Sequence, residues 1–278
     1  MDILFTLSLL LSLVFSLYGG YTAHKAFGQH SDISLENAHQ KSKTFYILAL
    51  LFLIAFALGA VCLQIDTLLE KTPLLFQRLS TLYTWSMFAL FITFASGFAL
   101  TLSYLLQKKM KSYLPSLLLL NLLFFILFFR INQPISDLIK VQVAKEKGYM
   151  QTTDFSCTSA SVATIVLRSG RVADEKRIAS LSGLTKFGAT SGQLRYALDI
   201  LGLGYETVHD SPKKLKALLA PVLIYIDHST IGKEGHAVVY LDHNSSGYSL
   251  WDPLQGHRMV SDQEMDKIWH GNGIIVKG

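Results

Sequence analysis

Residues 151–170 read QTTDFSCTSASVATIVLRSG, and this stretch predicts a helix that begins at a cysteine. The polar segment before Cys157 gives way to an apolar run with helical periodicity. Ser156 and Asp154 are candidates for the N-cap, and Gly170 stands where a left-handed C-terminal cap is expected. A thiol at a helix N-terminus faces unpaired backbone N–H groups and the positive end of the helix dipole, which both favour the reactive thiolate.

Gln151 precedes this cysteine in the same polar segment. Its side-chain amide can return to the thiol and donate a hydrogen bond to an oxyanion that forms there. Free cysteines are also among the most buried residues in proteins, so this stretch alone leaves a purely structural role for Cys157 open. The rest of the sequence has to decide between the two roles.

The composition divides the chain into two parts. It has 278 residues, of which 50% are hydrophobic, and a formal net charge of +5. The long apolar runs precede Ile131, and the remainder has the mixed composition of a globular domain. No long basic run or basic–aromatic pattern occurs, so nucleic acid is not an expected partner. The two cysteines, Cys62 and Cys157, offer no metal-ligand spacing and no disulfide framework, and we expect no metal or cofactor.

The apolar runs of the first part are each long enough to cross a bilayer as a helix. The only charge before the first run is Asp2, and no Ala-x-Ala cleavage site follows it, so a retained helix is predicted rather than a signal peptide. A soluble helical core is the alternative, which runs so free of charge disfavour. The four predicted spans are residues 3–21, 44–65, 83–106 and 113–129.

The predicted organisation therefore has three parts. A four-helix transmembrane domain covers residues 1–131, a connector covers residues 132–148, and a soluble α+β domain covers residues 149–278. Lysines in the first and third loops favour the cytoplasm for those loops, although basic residues after Arg130 reduce the difference. The soluble domain would then face the extracytoplasmic side, with the lipid bilayer as a partner.

After Tyr149 the pattern is that of an α+β domain, in which predicted helices come first and predicted strands follow from Pro221. The connector is predicted to be amphipathic, with Ile135, Leu138, Ile139 and Val143 on one helical face. Beyond the cysteine helix, we expect helices over residues 174–182, 191–201 and 211–219, and strands over residues 222–226, 236–241, 248–251 and 274–276.

His236 is the histidine best placed to activate the thiol, because it opens a predicted strand directly after Gly235. Asp252 ends the next strand, and in an antiparallel hairpin the start of one strand lies beside the end of its neighbour. His236 and Asp252 are therefore expected to be neighbours, and Asp242, at the far end of the first strand, is a weaker candidate. A strand-edge histidine and a turn-forming aspartate are the alternatives on local grounds. The other histidines of the soluble part lie in loop-like sequence: His209, His228, His243, His257 and His270.

Together these features resemble the bacteriocin-processing, double-glycine leader peptidases. That family consists of papain-like cysteine peptidases, best known as domains of peptide-exporting ABC transporters. The resemblance covers about residues 141–278. It rests on Gln151-x5-Cys157 at a helix start, on the Gly235-His236 strand and on the Trp251-Asp252-Pro253 strand end, with Thr190-Ser191-Gly192, Leu201-Gly202-Leu203, Gly256 and Trp269 in matching order.

The resemblance implies a cysteine endopeptidase with a papain-like fold, an antiparallel sheet and a Cys-His-Asp triad. Cys157 would be the nucleophile, His236 the general base and acid, and Asp252 the group that orients the imidazole. The Gln151 amide and the Cys157 backbone N–H would form the oxyanion hole. The implied reaction is hydrolysis through a thioester acyl-enzyme, after a Gly-Gly or Gly-Ala pair in a leader peptide, since the channel beside the nucleophile is narrow.

Two departures from the family pattern qualify this expectation. Ser156-Cys157-Thr158 stands where the family usually has Asp-Cys-Gly, which concerns leader specificity more than chemistry. The chain also has no G-x-x-x-x-G-K-[ST] loop, so no ATPase domain is expected in it. The expected protein is a peptidase domain on its own multi-pass anchor in a bacterial inner membrane, with a separate transporter or secretion complex as a further partner.

Two other functions stay open on the sequence. A catalytically silent, peptidase-like module would only bind substrate for a transporter or secretion system. Such degenerate domains typically lack the cysteine, whereas Cys157 is present here. Acyl transfer or amidase chemistry with the same three residues is the other alternative, because a fold does not determine a substrate.

Overall fold

The structure is a computed structural model that describes residues 14–25, 50–51, 54, 66–75, 77–78, 92–98, 101, 119, 133–140, 148–218, 221–228 and 232–277. The chain divides into two compact units, residues 1–69 with 80–131, and residues 70–79 with 132–278. The three-part organisation predicted from the sequence stays a prediction.

Two helical segments, residues 14–25 and 92–98, pack closely in the first unit. A Cβ at Gly19 would collide with the Phe94 carbonyl, and one at Gly97 would collide with the backbone of the facing segment. Most of the four predicted spans lies outside the described residues. Among the described residues, no helix has both the length and the apolar character needed to cross a membrane.

A six-stranded sheet organises the second unit. Its strands are β1 (Gly204–His209), β2 (Val222–His228), β3 (Gly232–Asn244), β4 (Gly247–Asp252), β5 (Gly256–Val260) and β6 (Trp269–Lys277). The order across the sheet is β1-β6-β2-β3-β4-β5, and every neighbouring pair is antiparallel. The antiparallel sheet expected from the resemblance is thus present.

Helices cover both faces of this sheet. They are α1 (Cys157–Arg168), α2 (Glu175–Ser182), α3 (Ser191–Ile200), α4 (Pro212–Leu215) and α5 (Asp262–Ile268). One core lies between α1, α2 and α3 and strand residues such as Leu223 and Val239. The other core contains Val222, Val238 and residues of α4 and α5. Successive strand residues point to opposite faces, so one strand contributes to both cores.

The cysteine helix begins at Cys157, as predicted, and ends at Arg168, within one residue of the predicted end. Gly170 follows it with a φ of +74°. The Gly170 N–H donates to the Leu167 carbonyl at 3.0 Å, and the Arg171 N–H donates to the Val166 carbonyl at 3.1 Å. This is a Schellman ending, which requires a left-handed residue and so explains the glycine.

The second and third helices also match their predictions within one residue at each end. Asp174 caps α2 by accepting a hydrogen bond from the Arg177 N–H at 2.8 Å. A capping box between Thr190 and Gln193 opens α3. The helix predicted over residues 211–219 was too long, because α4 covers only Pro212–Leu215.

Two further predictions need correction. The strand that carries His236 begins at Gly232, so His236 lies inside it and does not open it. In the described part of the connector, residues 133–140, the chain forms a 3-10 turn, Ser136–Leu138, and not the expected amphipathic helix. Ile135 and Ile139 are buried against the peptide chain around Leu184, whereas Leu138 is 61% exposed. Val143 lies outside the described residues.

Candidate active site

Cys157 is the first residue of α1, and its side chain is almost fully enclosed, with 8% of the residue exposed. The helix is tied to the sheet one turn later, where the Ser161 hydroxyl donates to the Ala237 carbonyl at 3.0 Å. Ala237 follows His236 in β3. The N-terminus of α1 is therefore held against the strand that carries the candidate base.

Ser156 occupies the N-cap position of α1, but its hydroxyl makes no capping hydrogen bond. The hydroxyl donates to the Thr153 carbonyl at 3.0 Å and accepts from the Thr153 N–H at 3.1 Å. Ser156 is fully buried. It therefore closes the turn that precedes the cysteine and leaves the first N–H groups of the helix uncapped by a side chain.

His236 and Asp252 form a buried pair. The Nε2 of His236 lies 2.8 Å from Oδ1 of Asp252, and each residue is 1% exposed. The register sets Trp251 opposite Val239, so Asp252 falls one pair further along, diagonal to His236. His236 and Asp252 were expected to be neighbours at the ends of their strands. In the observed register they lie diagonally across the strand pair, within reach of each other's side chains.

Two acidic neighbours control the charge of this histidine. Burial alone would lower the pKa of His236, but Asp252 and Cys157 outweigh it and raise the pKa from 6.5 to about 9. The imidazolium is thus favoured at neutral pH. A thiolate–imidazolium pair held by a carboxylate is the activated form of a cysteine nucleophile.

The second ring nitrogen, Nδ1 of His236, is buried and makes no hydrogen bond with the described residues. Cys157 lies near enough to raise the pKa of His236. Catalytic hydrogen bonds are often loose in the absence of substrate and tighten in the reacting complex. Nδ1 is therefore the nitrogen available for exchanging a proton with the thiol.

Gln151 lies beside the strand end that carries Asp252, because its backbone N–H donates to the Pro253 carbonyl at 2.9 Å. Its amide nitrogen donates to the Thr153 carbonyl at 2.9 Å. A primary amide has two N–H groups, so this contact leaves a second donor for an oxyanion. The Thr153 contact also orients the amide, which is what a preorganised donor requires.

Unsatisfied buried polar atoms concentrate at this place. Proteins normally pair such atoms, so a cluster of exceptions marks a functional region. Of the eight buried side-chain polar atoms that have no hydrogen-bond partner among the described residues, only Nη2 of Arg195 belongs elsewhere. The others lie on Gln151, Thr152, Thr158, Ser159, Glu175, His236 and Asp252.

Arg258 on β5 is a charged neighbour that the sequence did not suggest. Its Nη1 lies 3.5 Å from Oδ2 of Asp252, and its Nη2 lies 3.1 Å from Oε1 of Glu264. Oδ1 of Asp252 also accepts the Leu254 N–H at 2.8 Å. Burial would raise the pKa of Asp252, but the contacts to His236, Leu254 and Arg258 outweigh it and lower the pKa. Asp252 is therefore kept ionised.

Glu175 is a second group that the sequence did not suggest. It is 1% exposed, and its Oε1 accepts the Thr152 N–H at 3.0 Å. Burial raises the pKa of this carboxyl, although contacts from Ser156 and Thr152 oppose the change. This carboxyl is buried by a contact between segments that are distant in sequence, so no local sequence pattern indicates its burial.

The remaining histidines have other partners. His228 lies near the site, with its ring centroid 5.2 Å from that of His236. Asp242, the weaker orienting candidate, accepts the His243 N–H on the surface. In the ranges that the structure describes, no group of three His, Cys, Asp or Glu side chains is arranged to hold a metal ion. Four histidines pair elsewhere, His209 with Asn272, His243 with Asp262, His257 with Ser249 and His270 with Asp227.

Comparison with known proteins finds similarity in the second half of the chain. Residues 145–278 match the model of the Peptidase C39 family. The chain is similar to the solved structure of a double-glycine-motif protease from an AMS/PCAT transporter in complex with the leader peptide. That match has 20% identity and a TM-score of 0.43, and it covers 50% of this chain and 99% of that one.

Two further solved structures are similar. One is the peptidase domain of Streptococcus ComA, a bi-functional ABC transporter of a quorum sensing pathway, with 19% identity, a TM-score of 0.44, and coverage of 48% of this chain and 98% of that one. The other is the peptidase domain of Streptococcus mutans ComA, with 17% identity, a TM-score of 0.39, and coverage of 48% and 99%. None of the curated proteins compared with the chain matches it.

Proposed function

We propose, from the premise that residues 145–278 belong to the Peptidase C39 family of cysteine peptidases, that this domain hydrolyses peptide bonds with Cys157 as its nucleophile. The observation that carries the proposal is the buried His236–Asp252 pair at 2.8 Å, with Cys157 close enough to raise the pKa of the same imidazole. Asp252 and Cys157 outweigh the effect of burial and give the imidazole the charge that a thiolate partner needs.

The chemistry follows from these positions. The Cys157 thiolate attacks the scissile carbonyl carbon, and the carbonyl oxygen becomes an oxyanion. The free N–H of the Gln151 amide and the backbone N–H of Cys157 stabilise this oxyanion. The C–N bond then breaks, and Nδ1 of His236 gives its proton to the leaving amine. The product is a thioester on Cys157.

Water completes the reaction. Neutral His236 takes a proton from a water molecule, whose oxygen attacks the thioester carbonyl through a second oxyanion. The C–S bond breaks, which releases the carboxylate product and restores the thiolate beside the imidazolium. Asp252 stays ionised throughout, because its lowered pKa and the contact from Arg258 favour the carboxylate. It orients the ring and stabilises its charge.

We further propose that the substrate is a leader peptide cleaved after Gly-Gly or Gly-Ala. Cys157 is only 8% exposed, and its neighbour Thr158 is 6% exposed, so little room exists around the sulfur. A residue with a large side chain would have to displace these groups to bring its carbonyl to the thiolate. Small residues at the cleavage site avoid this cost.

Our proposal for the first unit is a multi-pass anchor in a bacterial inner membrane. Large exposed apolar patches are uncommon on soluble proteins, and closely packed glycines are common where membrane helices meet. Gly19 and Gly97 make such close contacts. The described residues of this unit expose many large apolar side chains: Val14, Leu17, Tyr18, Tyr21, Leu50, Leu51, Ile54 and Leu119.

A contact between residues 70–79 and Arg195 supports the proposal that the first unit has four membrane spans. These residues belong to the peptidase unit, where Nη1 of Arg195 lies 3.2 Å from Oε1 of Glu70 and Nε of Arg195 donates to Gln77 at 2.7 Å. In a four-span chain, the second loop and the C-terminal domain lie on one side. Loop charge favours the extracytoplasmic side, and a separate transporter or secretion complex would then be a partner.

Reporter fusions test the location. A C-terminal alkaline phosphatase fusion should be active and a C-terminal green fluorescent protein fusion dark, if the peptidase domain is extracytoplasmic. The opposite pair of signals would put the domain in the cytoplasm. Extraction of the chain from membranes by alkaline carbonate, without detergent, would contradict the anchor itself.

Active-site labelling tests the chemistry. Purified full-length protein is treated with a peptide electrophile ending in Gly-Gly, and intact mass is measured for wild type, C157A and H236A. We expect rapid labelling of wild type at neutral pH, none at this site in C157A, and slow labelling in H236A. Wild type that labels no faster than an unactivated thiol would favour the substrate-binding alternative.

A further inference from the structure

We propose that Glu175 is a positioning residue, which holds the turn before the nucleophile so that Gln151 presents its amide to the oxyanion. This inference rests on the proposed peptidase function. Glu175 is the first residue of α2 and comes from outside the turn that it contacts. Glu175 does not touch the reacting atoms, and it acts through the backbone of Thr152.

The contact is short and enclosed. Oε1 of Glu175 accepts the Thr152 N–H at 3.0 Å, and Glu175 is 1% exposed. A buried carboxyl group is costly unless it is paired, so its presence calls for a reason. The helix that carries it is fixed, because Asp174 caps α2 and Ile178 is fully buried in the core beside α1.

Fixing Thr152 also fixes its two neighbours in the chain. The amide of Gln151 donates to the Thr153 carbonyl at 2.9 Å, so the side chain and the backbone around Thr152 form one closed unit. Gln151 is held at one end of this unit by the Pro253 carbonyl, and Thr153 is held at the other end by the Ser156 hydroxyl. Glu175 holds the middle.

The role depends on an acceptor and not on a charge. A carboxyl group accepts a hydrogen bond through Oε1 in its ionised form and through its carbonyl oxygen when protonated. Burial raises the pKa of Glu175, and the position of the acceptor is the same in either state. A glutamine should therefore replace Glu175, whereas a shorter asparagine should fail to reach Thr152.

Two reactions of the same thiol separate positioning from general structure. Hydrolysis of an amide passes through an oxyanion, so it depends on the Gln151 amide. Alkylation by iodoacetamide depends on the thiolate but forms no oxyanion. Loss of positioning by Glu175 should slow the first reaction and spare the second.

The experiment uses full-length protein and a fluorogenic peptide that ends in Gly-Gly before a coumarin amide. Wild type, E175Q, E175N and E175L are compared for kcat, KM and the rate of Cys157 alkylation. Because a displaced catalytic group can cost about 100-fold, we expect E175N and E175L to lose at least about 10-fold in kcat. The expected KM and alkylation rate change by less than about 2-fold, and E175Q stays within about 3-fold of wild type in kcat, since amide and carboxyl oxygens accept similarly.

E175N and E175Q carry the same amide group and differ only by one methylene. The comparison between these two variants therefore tests the inference even if E175L does not fold. Unchanged kcat in E175N would overturn the inference. So would equal losses of kcat and alkylation, which indicate damage to the thiolate pair or the fold, and so would a loss in E175Q as large as in E175N. Wild type that alkylates rapidly yet cleaves nothing would instead overturn the proposed function.

Discussion

Replacement of Asp252 by asparagine removes a charge from the site and leaves its shape. Asparagine has the size of aspartate, and its carbonyl oxygen can still accept the hydrogen bond from Nε2 of His236, which is 2.8 Å long in the wild type. The ring orientation is therefore kept. What changes is the electrostatic support for the imidazolium, and the result is a shift in the pH dependence of catalysis.

The size of the shift follows from the site. The pKa of His236 is raised from 6.5 to about 9 against the opposing effect of burial, with Asp252 and Cys157 as the two acidic partners. The side chain of His236 is fully enclosed, so solvent does not screen the pair. The rise corresponds to about 3 kcal/mol in favour of the imidazolium. Removal of the Asp252 charge should lower the pKa by at least about one pH unit, because burial then opposes a single partner.

The direction of the shift in the pH profile follows from the protonation state of His236 that the reaction needs. The imidazolium protonates the leaving amine, so hydrolysis should decline in wild type as the pH rises through about 9. In D252N this decline should begin at a lower pH. The profile of kcat/KM against pH, measured with the fluorogenic Gly-Gly peptide, reports the transition in the free enzyme. D242N is the matched control, because Asp242 lies on the surface beside His243 and should leave the profile unchanged.

Three results would contradict an electrostatic role for Asp252. A D252N profile that keeps its alkaline decline near that of wild type would mean that Asp252 does not raise the pKa of His236. A decline that shifts equally in D242N would mean that the effect is general surface electrostatics. A loss of rate without any shift would leave Asp252 with an orienting role alone, contrary to the proposed electrostatic one.

Three further changes test other parts of the structure. Q151A should lower kcat about 100-fold with little change in KM, because an oxyanion donor acts on the transition state, and steady-state kinetics measures this. R258M should raise the pKa of Asp252, so activity should be lost at a higher pH as the solution is acidified, as seen in the acid limb of the profile. E70Q should lower the free energy of unfolding by about 2 kcal/mol, since it leaves the buried Arg195 without its carboxylate, and thermal unfolding measures this.

Each of these has a control or a contradicting result. Q151A that loses alkylation as well as hydrolysis would place its effect on the thiolate and not on the oxyanion. An acid limb that R258M leaves unmoved would show that Arg258 serves Glu264 alone. For E70Q the control is E206Q, which breaks the exposed Glu206–Lys277 pair and should leave the melting temperature unchanged.

Local sequence predicted those elements whose ends carry their own chemical signals. α2 has Asp174 at its N-cap and Gly183 at its C-terminal cap, and α3 opens with a capping box. Such signals satisfy backbone groups within a few residues, so they can be recognised without the fold. The strands that were missed, β1 and β5, lack such signals. The helix α5 was missed although it has one, because the Ser261 hydroxyl at its N-cap accepts a hydrogen bond from the Glu264 N–H.

Each missed strand either pairs with a strand that is distant in sequence or has a weak sequence pattern of its own. β1 lies at the edge of the sheet and pairs with β6, which ends at Lys277. β5, with the sequence GHRMV, forms the opposite edge. Strand preference is a property of a packed surface more than of a backbone, so short edge strands with polar residues give little signal. α4 ended early for a related reason, since propensity alone does not sustain a helix after its one buried residue, Leu215.

The sequence by itself determined which residues could carry the chemistry. Cys157 stood at a helix start, and His236 and Asp252 stood on two strands joined by a tight turn, so their proximity followed from local connectivity. The tertiary structure alone decided the supports of this site. Arg258 reaches Asp252 from β5, and Glu175 is enclosed beside Thr152 by the packing of α2 against α1. Burial and long-range charge arise only when distant segments meet, so no local pattern encodes them.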